Sequence, residues 1–271
     1  MALFEVFIPR SSKSANDATI EVKAESWLDA LKAGMKKIGE QGDPGKNMIC
    51  DFQDDGSVHV TDPDSGRVFR IVDKGGEKTA KASSAGIGRS KEKTDNIEDA
   101  LEEVFDSSVE MWEKCKTREE VADFMLELAL KKIKAESAGF LFCTIDCDHL
   151  SFVAAKGPKA KDVLKFKVPL GTGIVGFCVQ AGVSLAISDV GKDARWYDKI
   201  SKSVGYPTKS MLCSVVEHEG QVVGAIEIIN RSVSSSFTTE ELHILNYIAH
   251  ESGKALARIS DMEFSKECKK K

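Results

Sequence analysis

The sequence predicts an α+β protein built in two parts. Three observations carry that expectation. Residues 1–74 show period-two alternation and hairpin-turn chemistry around one amphipathic helix. Residues 75–95 are rich in Gly, Ser, Ala and Lys. From residue 96 onward, long apolar helical stripes enclose short apolar strands. The expected division is a small α+β domain of unknown role (1–74), a flexible linker (75–95), a larger domain with flanking helices (96–264) and a charged tail (265–271).

The first part reads β-β-α-β-β-β. Residues 3–8 (LFEVFI) alternate and stop at Pro9, and residues 19–23 alternate again. Trp27, Leu28, Leu31, Met35 and Ile38 recur at three- and four-residue spacing, which predicts a helix over 25–40. Residues 48–52, 58–61 and 67–72 follow as strands, separated by Asp/Gly/Ser and Asp/Pro/Gly turns. His59 stands alone on its strand and reads as structural or solvent-facing. The linker carries too little apolar content to order itself, so the two parts are expected to be tethered rather than fused.

In the second part, Ile97, Leu101, Val104, Phe105, Val109 and Trp112 stripe a helix. Thr117-Arg118-Glu119-Glu120 has the capping-box pattern, in which a threonine oxygen and a glutamate satisfy orphan amides reciprocally. A second helix follows. Strands are expected at 139–146, 150–155, 184–188, 211–216 and 222–229, the last two joined by a hairpin at Glu219-Gly220. Residues 156–162 read as a polar stretch, 174–180 as a short helix and 189–206 as an irregular crossing. Leu242, Leu245, Ile248, Ala249, Ser252, Leu256 and Ile259 stripe a terminal helix.

Composition narrows the function class. With 42% apolar and 30% charged residues this is a globular chain. Net charge is −5, divided as about −3, +2 and −4 over 1–74, 75–95 and 96–271. No folded part has the basic field that nucleic acid or anionic lipid attracts, so neither nucleic acid nor membrane is an expected partner. No apolar run reaches membrane-span length, and the start MALFEVFIPRSS lacks a basic leader, so a cytoplasmic location is expected. Seven scattered cysteines suit reduced, buried thiols better than a disulfide framework.

The chemical motifs are weak as catalysts. Gly171, Gly173 and Gly176 satisfy a bare GxGxxG pattern, but no clean parallel βαβ unit surrounds them, and a tight turn with close helix packing explains them better. Cys143 and Cys147 with His149 lack a second pair at zinc spacing, so no metal is expected. Neither a Ser-His-Asp order nor an activated Cys-His pair is evident, and no catalytic residue is assigned. Asp189 and Glu227 are the acidic residues nearest a candidate pocket.

Four segments carry a resemblance: VPLGTGIVGFCVQAGVSLAISDVGKDARWYDKI, GYPTKSMLCSVV, GQVVGAIEIINR and FTTEEL. Together they make residues 117–260 similar to a GAF domain, in particular the GAF modules of cyclic-nucleotide phosphodiesterases. The resemblance implies a six-stranded antiparallel sheet with packed helices, and a small-molecule pocket between one sheet face and the crossing at 189–208. It implies ligand-facing positions at Asp189, Trp196, Tyr197, Ile200, Thr208 and Glu227, the last matching a purine contact in some relatives. The phosphodiesterase-type Asn-Lys…Phe…Asp-Glu motif is kept in part. Asn230 and Phe237 match, Arg231 stands for lysine, Glu241 for aspartate, and Leu242 replaces the final glutamate. Asn230, Arg231, Phe237 and Glu241 are therefore expected to form a structural latch between the last strand and the last helix. The strand segment SVV also lacks the family's usual proline at Ser214 or Val215.

No kinase, cyclase, phosphodiesterase or DNA-binding segment is recognisable after about residue 260. The expected function is a non-enzymatic signalling module that senses a small molecule, with a cyclic nucleotide as one candidate ligand. It would dimerise through helices in 96–136 and 240–264 and contact an unidentified protein partner through its N-terminal domain. Two rivals stand beside it: a GAF-fold thiol enzyme such as a methionine-sulfoxide reductase, and a structural scaffold with no ligand.

Overall fold

Alternation in residues 1–74 becomes five strands and one helix: β1 (Ala2–Ile8), β2 (Ala18–Ala24), α1 (Trp27–Lys37), β3 (Asn47–Phe52), β4 (Val58–Asp62) and β5 (Arg67–Asp73). The computed structural model describes residues 1–11, 16–40, 45–74, 97–143, 148–234 and 236–268, with side chains to residue 259. The linker expected at 75–95, Cys147 and Cys268 therefore lie outside the described residues or side chains. Phe4, Val6, Ile8, Val60, Phe69 and Ile71 bury one face of the strands under Trp27, Leu28, Leu31 and Met35 of α1. Ser26 caps α1, its Oγ accepting from the Asp29 amide at 3.2 Å. The Lys37 ammonium donates to the Glu21 carbonyl at 2.9 Å and so blunts the outer edge of β2.

The remaining elements are α2 (Ile97–Lys114), α3 (Arg118–Lys132), β6 (Ala135–Cys143), β7 (His149–Lys156), α4 (Ala160–Val163), β8 (Lys167–Pro169), α5 (Gly173–Ala181), β9 (Ser184–Ile187), a 3-10 turn (Val190–Lys192), α6 (Lys199–Val204), β10 (Met211–His218), β11 (Gln221–Arg231) and α7 (Thr239–Cys268). The capping box forms: the Thr117 hydroxyl accepts from the Glu120 amide and the Glu120 carboxylate from the Thr117 amide, both at 3.2 Å. The β10–β11 hairpin turns on Glu219 and Gly220, both at left-handed φ (49° and 77°), which matches strand twist. Residues 156–162, read as merely polar, contain most of the one-turn helix α4.

All eleven strands join one sheet in the order β2-β1-β5-β4-β3-β9-β10-β11-β6-β7-β8. Within it β9-β10-β11-β6-β7-β8 are antiparallel throughout. The junction is the parallel pair β3–β9, from Asn47↔Ser184 to Cys50↔Ile187. Around it the Ser184 amide donates to the Lys46 carbonyl at 2.7 Å and Asn246 donates to Asn47 at 2.9 Å. The second part contributes six antiparallel strands, β9-β10-β11-β6-β7-β8, to the eleven-stranded whole. The junction corrects one expectation: the halves are fused through a shared sheet rather than tethered. The cause is non-local: strands more than 130 residues apart pair, and neither carries a sequence signal for its partner.

Helices cover both faces. On one, α1, α5 and the crossing close a core that contains Leu185, Ile187, Met211 and Cys213. On the other, α2, α3 and α7 cover Phe140, Leu212, Val216, Ile226 and Ile228. Such fully buried apolar side chains contribute about 1.5–3 kcal/mol each. No helix among the described residues is long and apolar enough to cross a membrane.

Candidate functional site

The crossing between β9 and β10 bends back over the sheet because its sequence forbids a long helix. Asp189 accepts from the Gly191 amide at 3.1 Å and closes the 3-10 turn. Gly205 ends α6 in the left-handed region, and Pro207 follows. Beneath the crossing lies a pocket lined by Phe152, Thr172, Gly173, Trp196, Tyr197, Ile200, Tyr206, Thr208, Met211 and Glu227, among others. The cavity volume is about 80 Å³, and the empty space including open solvent at its mouth is about 610 Å³.

Glu227 is the chemical centre of this pocket. It sits on β11 opposite Cys213 of β10 and Gly139 of β6. A Cβ at Gly139 would come within 3.0 Å of the Glu227 Oε1 and 2.9 Å of the Phe152 ring, so glycine is what leaves them room. The residue is 7% exposed. Among the described residues no donor or cation satisfies its carboxylate, and burial alone pushes its pKa up to about 7. The lining holds no lysine, arginine or histidine. Facing the cavity is the first turn of α5, whose N-cap Thr172 makes no side-chain capping bond. Its leading amides are the usual orphan donors of a helix start.

Five of the six sequence-nominated positions, Trp196, Tyr197, Ile200, Thr208 and Glu227, lie together around this cavity. Asp189 does not; besides closing the 3-10 turn it lies 3.7 Å from Lys192. Sequence reasoning did not nominate Phe152, Tyr206 or Met211. Tyr206 sits two residues before Thr208 in GYPT and carried a usable signal. Phe152 did not, because a register shift between Phe140 and Leu141 breaks the pairing pattern of β6 with β7. The glycine cluster is a turn: Gly171 and Gly173 have left-handed φ, and the Gly171 amide donates to the Gly176 carbonyl at 3.0 Å.

The end of the crossing is pinned to β11. Asn230 (φ 59°) donates to the Pro207 carbonyl and to Glu136, each at 2.9 Å, and accepts from the Lys209 amide at 2.7 Å. The Tyr206 hydroxyl donates to the same Glu136 carboxylate at 2.5 Å. One residue on, the Arg231 Nε donates to both Glu241 oxygens at 2.9 and 2.8 Å. Glu241 also accepts from the Thr238 amide at 2.8 Å, which caps α7. Phe237 and Leu242 are buried beside this pair. With leucine in place of the second acid, the helix start gains core contact instead of a charge.

Such an antiparallel segment, with helices on one face and a pocket under an irregular crossing on the other, is the build of a small α+β module. The chain belongs to the GAF family: the model described as GAF domain matches residues 115–257, more than half of the chain. It is 29% identical over 142 residues to dual 3',5'-cyclic-AMP and -GMP phosphodiesterase 11A of Takifugu rubripes, covering 45% of this chain and 16% of that protein. It is 33% identical over 73 residues to dual 3',5'-cyclic-AMP and -GMP phosphodiesterase 11 of Drosophila melanogaster, covering 27% of this chain and 5% of that one. The chain thus spans a sixth or less of these relatives, and the match to them falls short of half of this chain. Among solved structures, the GAF domain of a phosphoenolpyruvate-protein phosphotransferase from Coxiella burnetii superposes with TM-score 0.55 at 15% identity, covering 62% of this chain and 96% of that one. Free methionine-R-sulfoxide reductase from Neisseria meningitidis gives TM-score 0.51 at 15% identity, covering 61% and 91%. At such identities these two speak for the fold alone.

Proposed function

We propose that this chain is a non-catalytic regulatory module whose GAF pocket senses a small molecule of the nucleotide class. The observation that carries the reading is Glu227, a buried acid without a partner at the base of an aromatic-lined pocket. A ligand with hydrogen-bond donors would satisfy it, and Trp196 or Tyr197 would stack on a planar ring. At the other side the α5 amides suit a negative group. A ligand with a donor-bearing ring and an anionic end fits both, and a nucleotide has that form. The kinship with phosphodiesterase GAF regions supports the same class.

A thermal-shift screen of the full chain with cyclic AMP, cyclic GMP and nucleoside monophosphates tests this. Binding at a hundredfold excess over Kd adds about 2.7 kcal/mol, worth several degrees in Tm. The shift is expected to vanish in Glu227→Ala and Trp196→Ala. A panel that shifts nothing sinks the sensing reading and leaves the scaffold.

The thiol-enzyme rival draws little from the geometry. A nucleophilic cysteine needs an accessible thiolate of depressed pKa. Burial instead pushes Cys50 up to about 12, and Cys213, hydrogen-bonded to Cys178 and fully buried, lies well above its ordinary value.

The module pairs with a second copy through α2, and residues 1–74 contact a further protein. Helix α2 buries Ala100, Val104 and Met111 against its own fold while Phe105 and Val109 stay 47% and 39% exposed beside Leu101 and Trp112. That second apolar row suits a two-fold contact. Light scattering is expected to give a dimer that Phe105→Glu converts to monomer; a wild-type monomer at high concentration removes the idea.

A further inference from the structure

Besides the β3–β9 pair and the Asn246–Asn47 bond, the crossing that walls the pocket also touches the N-terminal unit, and Arg195 stands at that contact. Its guanidinium lies over the Trp27 ring at 5.0 Å from the centroid and over the Phe177 ring at 4.6 Å. Trp27 is the first residue of α1, and Phe177 belongs to α5, whose first turn lines the pocket. Asp193, 3% exposed, accepts from Arg195 Nε at 2.8 Å and Nη2 at 2.6 Å. Nη1 is buried and has no acceptor among the described residues. On one side of Arg195, Trp196 and Tyr197 line the pocket. On the other, Ala194 and Lys192 line a separate cleft of about 420 Å³, shared with Trp27, Phe52 and Gln53 of the N-terminal unit.

We propose that the N-terminal unit regulates the pocket, and that Arg195, wedged on Trp27, is the joint that couples them. The proposal rests on the pocket reading above. The cavity, about 80 Å³, is smaller than the roughly 150 Å³ that admits benzene, so a nucleotide-sized guest displaces the crossing. Asn230 fixes the far end of the crossing at Pro207 and Lys209, and the Val190 amide, donating to the Lys209 carbonyl at 2.9 Å, ties the near end, so the span between them is what a guest displaces. Moving it draws Arg195 off Trp27. In the wedged state two rings and one carboxylate offset the desolvation of a guanidinium that still lacks one hydrogen bond. In the released state water supplies that bond. The joint therefore has two competing states, and a ligand that favours release loosens α1. By linkage, whatever binds the N-terminal unit and holds Trp27 in place keeps the pocket shut to the same degree.

Hydrogen exchange on the full, ligand-free chain tests the coupling. Arg195→Met keeps an apolar stem but loses the charge, and is expected to speed amide exchange in α1 at least tenfold while β10 and β11 stay protected. Trp27→Leu is expected to speed exchange across residues 193–206 by a similar factor, and Trp27→Phe, which retains a ring, to restore most of the protection. Met35→Ala, a cavity in α1 remote from Arg195 in sequence, controls for general loosening of the unit and is expected to leave 193–206 unchanged. If each substitution speeds exchange on its own side only, or if Met35→Ala acts on 193–206 as strongly as Trp27→Leu, the joint is not what couples the halves. No ligand enters the measurement, so a failed nucleotide screen and a failed coupling are separate results.

Discussion

Gly253→Ala is expected to cost the protein about 3–5 kcal/mol, a fall of roughly 10 °C in Tm. In an unpacked helix the same change would stabilise by about 1 kcal/mol, because alanine is the better helix former. Here α7 lies so close to β10 that an added Cβ would stand 2.0 Å from the Glu217 carbonyl oxygen. That atom is backbone at a bulge, so no side chain can swing aside. Relief requires moving either a 30-residue helix or the strand beneath it. Serine and larger residues should do worse in order of size. Urea unfolding monitored by circular dichroism reads the loss; a variant as stable as the parent would show that α7 does not seat on Glu217.

Glu227 should make the fold weaken as pH rises from about 4.5 to about 7. Its pKa is about 7 in the folded chain against an ordinary 4.5. Below 4.5 the carboxyl is protonated in both states and contributes no difference. Between 4.5 and 7 the unfolded chain releases the proton while the folded chain keeps it, so stability declines by about 1.4 kcal/mol per pH unit. Above 7 the loss is complete at about 3 kcal/mol. Glu227→Gln removes this titration, so wild type and variant should diverge across that window, the variant gaining relative stability with pH. Parallel curves from pH 4.5 to 8 would mean that Glu227 is solvated in solution. A ligand that donates to Glu227 should flatten the wild-type curve as well.

The sequence and the structure agree where physics is local. The Thr117–Glu120 box, the Glu219-Gly220 turn and the α1 stripe from Trp27 to Met35 are all short-range patterns, and each forms as read. The site was partly legible for another reason: ordered motifs from Val168 to Leu242 imply a fold, and the fold brings Trp196, Thr208 and Glu227 to one cavity. Tyr206 needed only attention to its neighbour. Phe152, the Arg195–Trp27 stack and the β3–β9 pair were out of reach, since each depends on a distant segment. Asp189 shows the opposite error. Proximity in sequence to the crossing suggested a ligand, while a local turn had already claimed the side chain.

The parallel β3–β9 pair also sets the order in which the molecule can be built. Residues 47–52 leave the ribosome long before residues 184–187, at a rate of roughly 5–20 residues per second. For several seconds β3 has β4 on one flank and a bare backbone edge on the other. Bare edges recruit strands from other chains, and long-range parallel pairing is slow to close. The shared sheet thus makes the birth of the N-terminal unit depend on a strand that has not yet been translated.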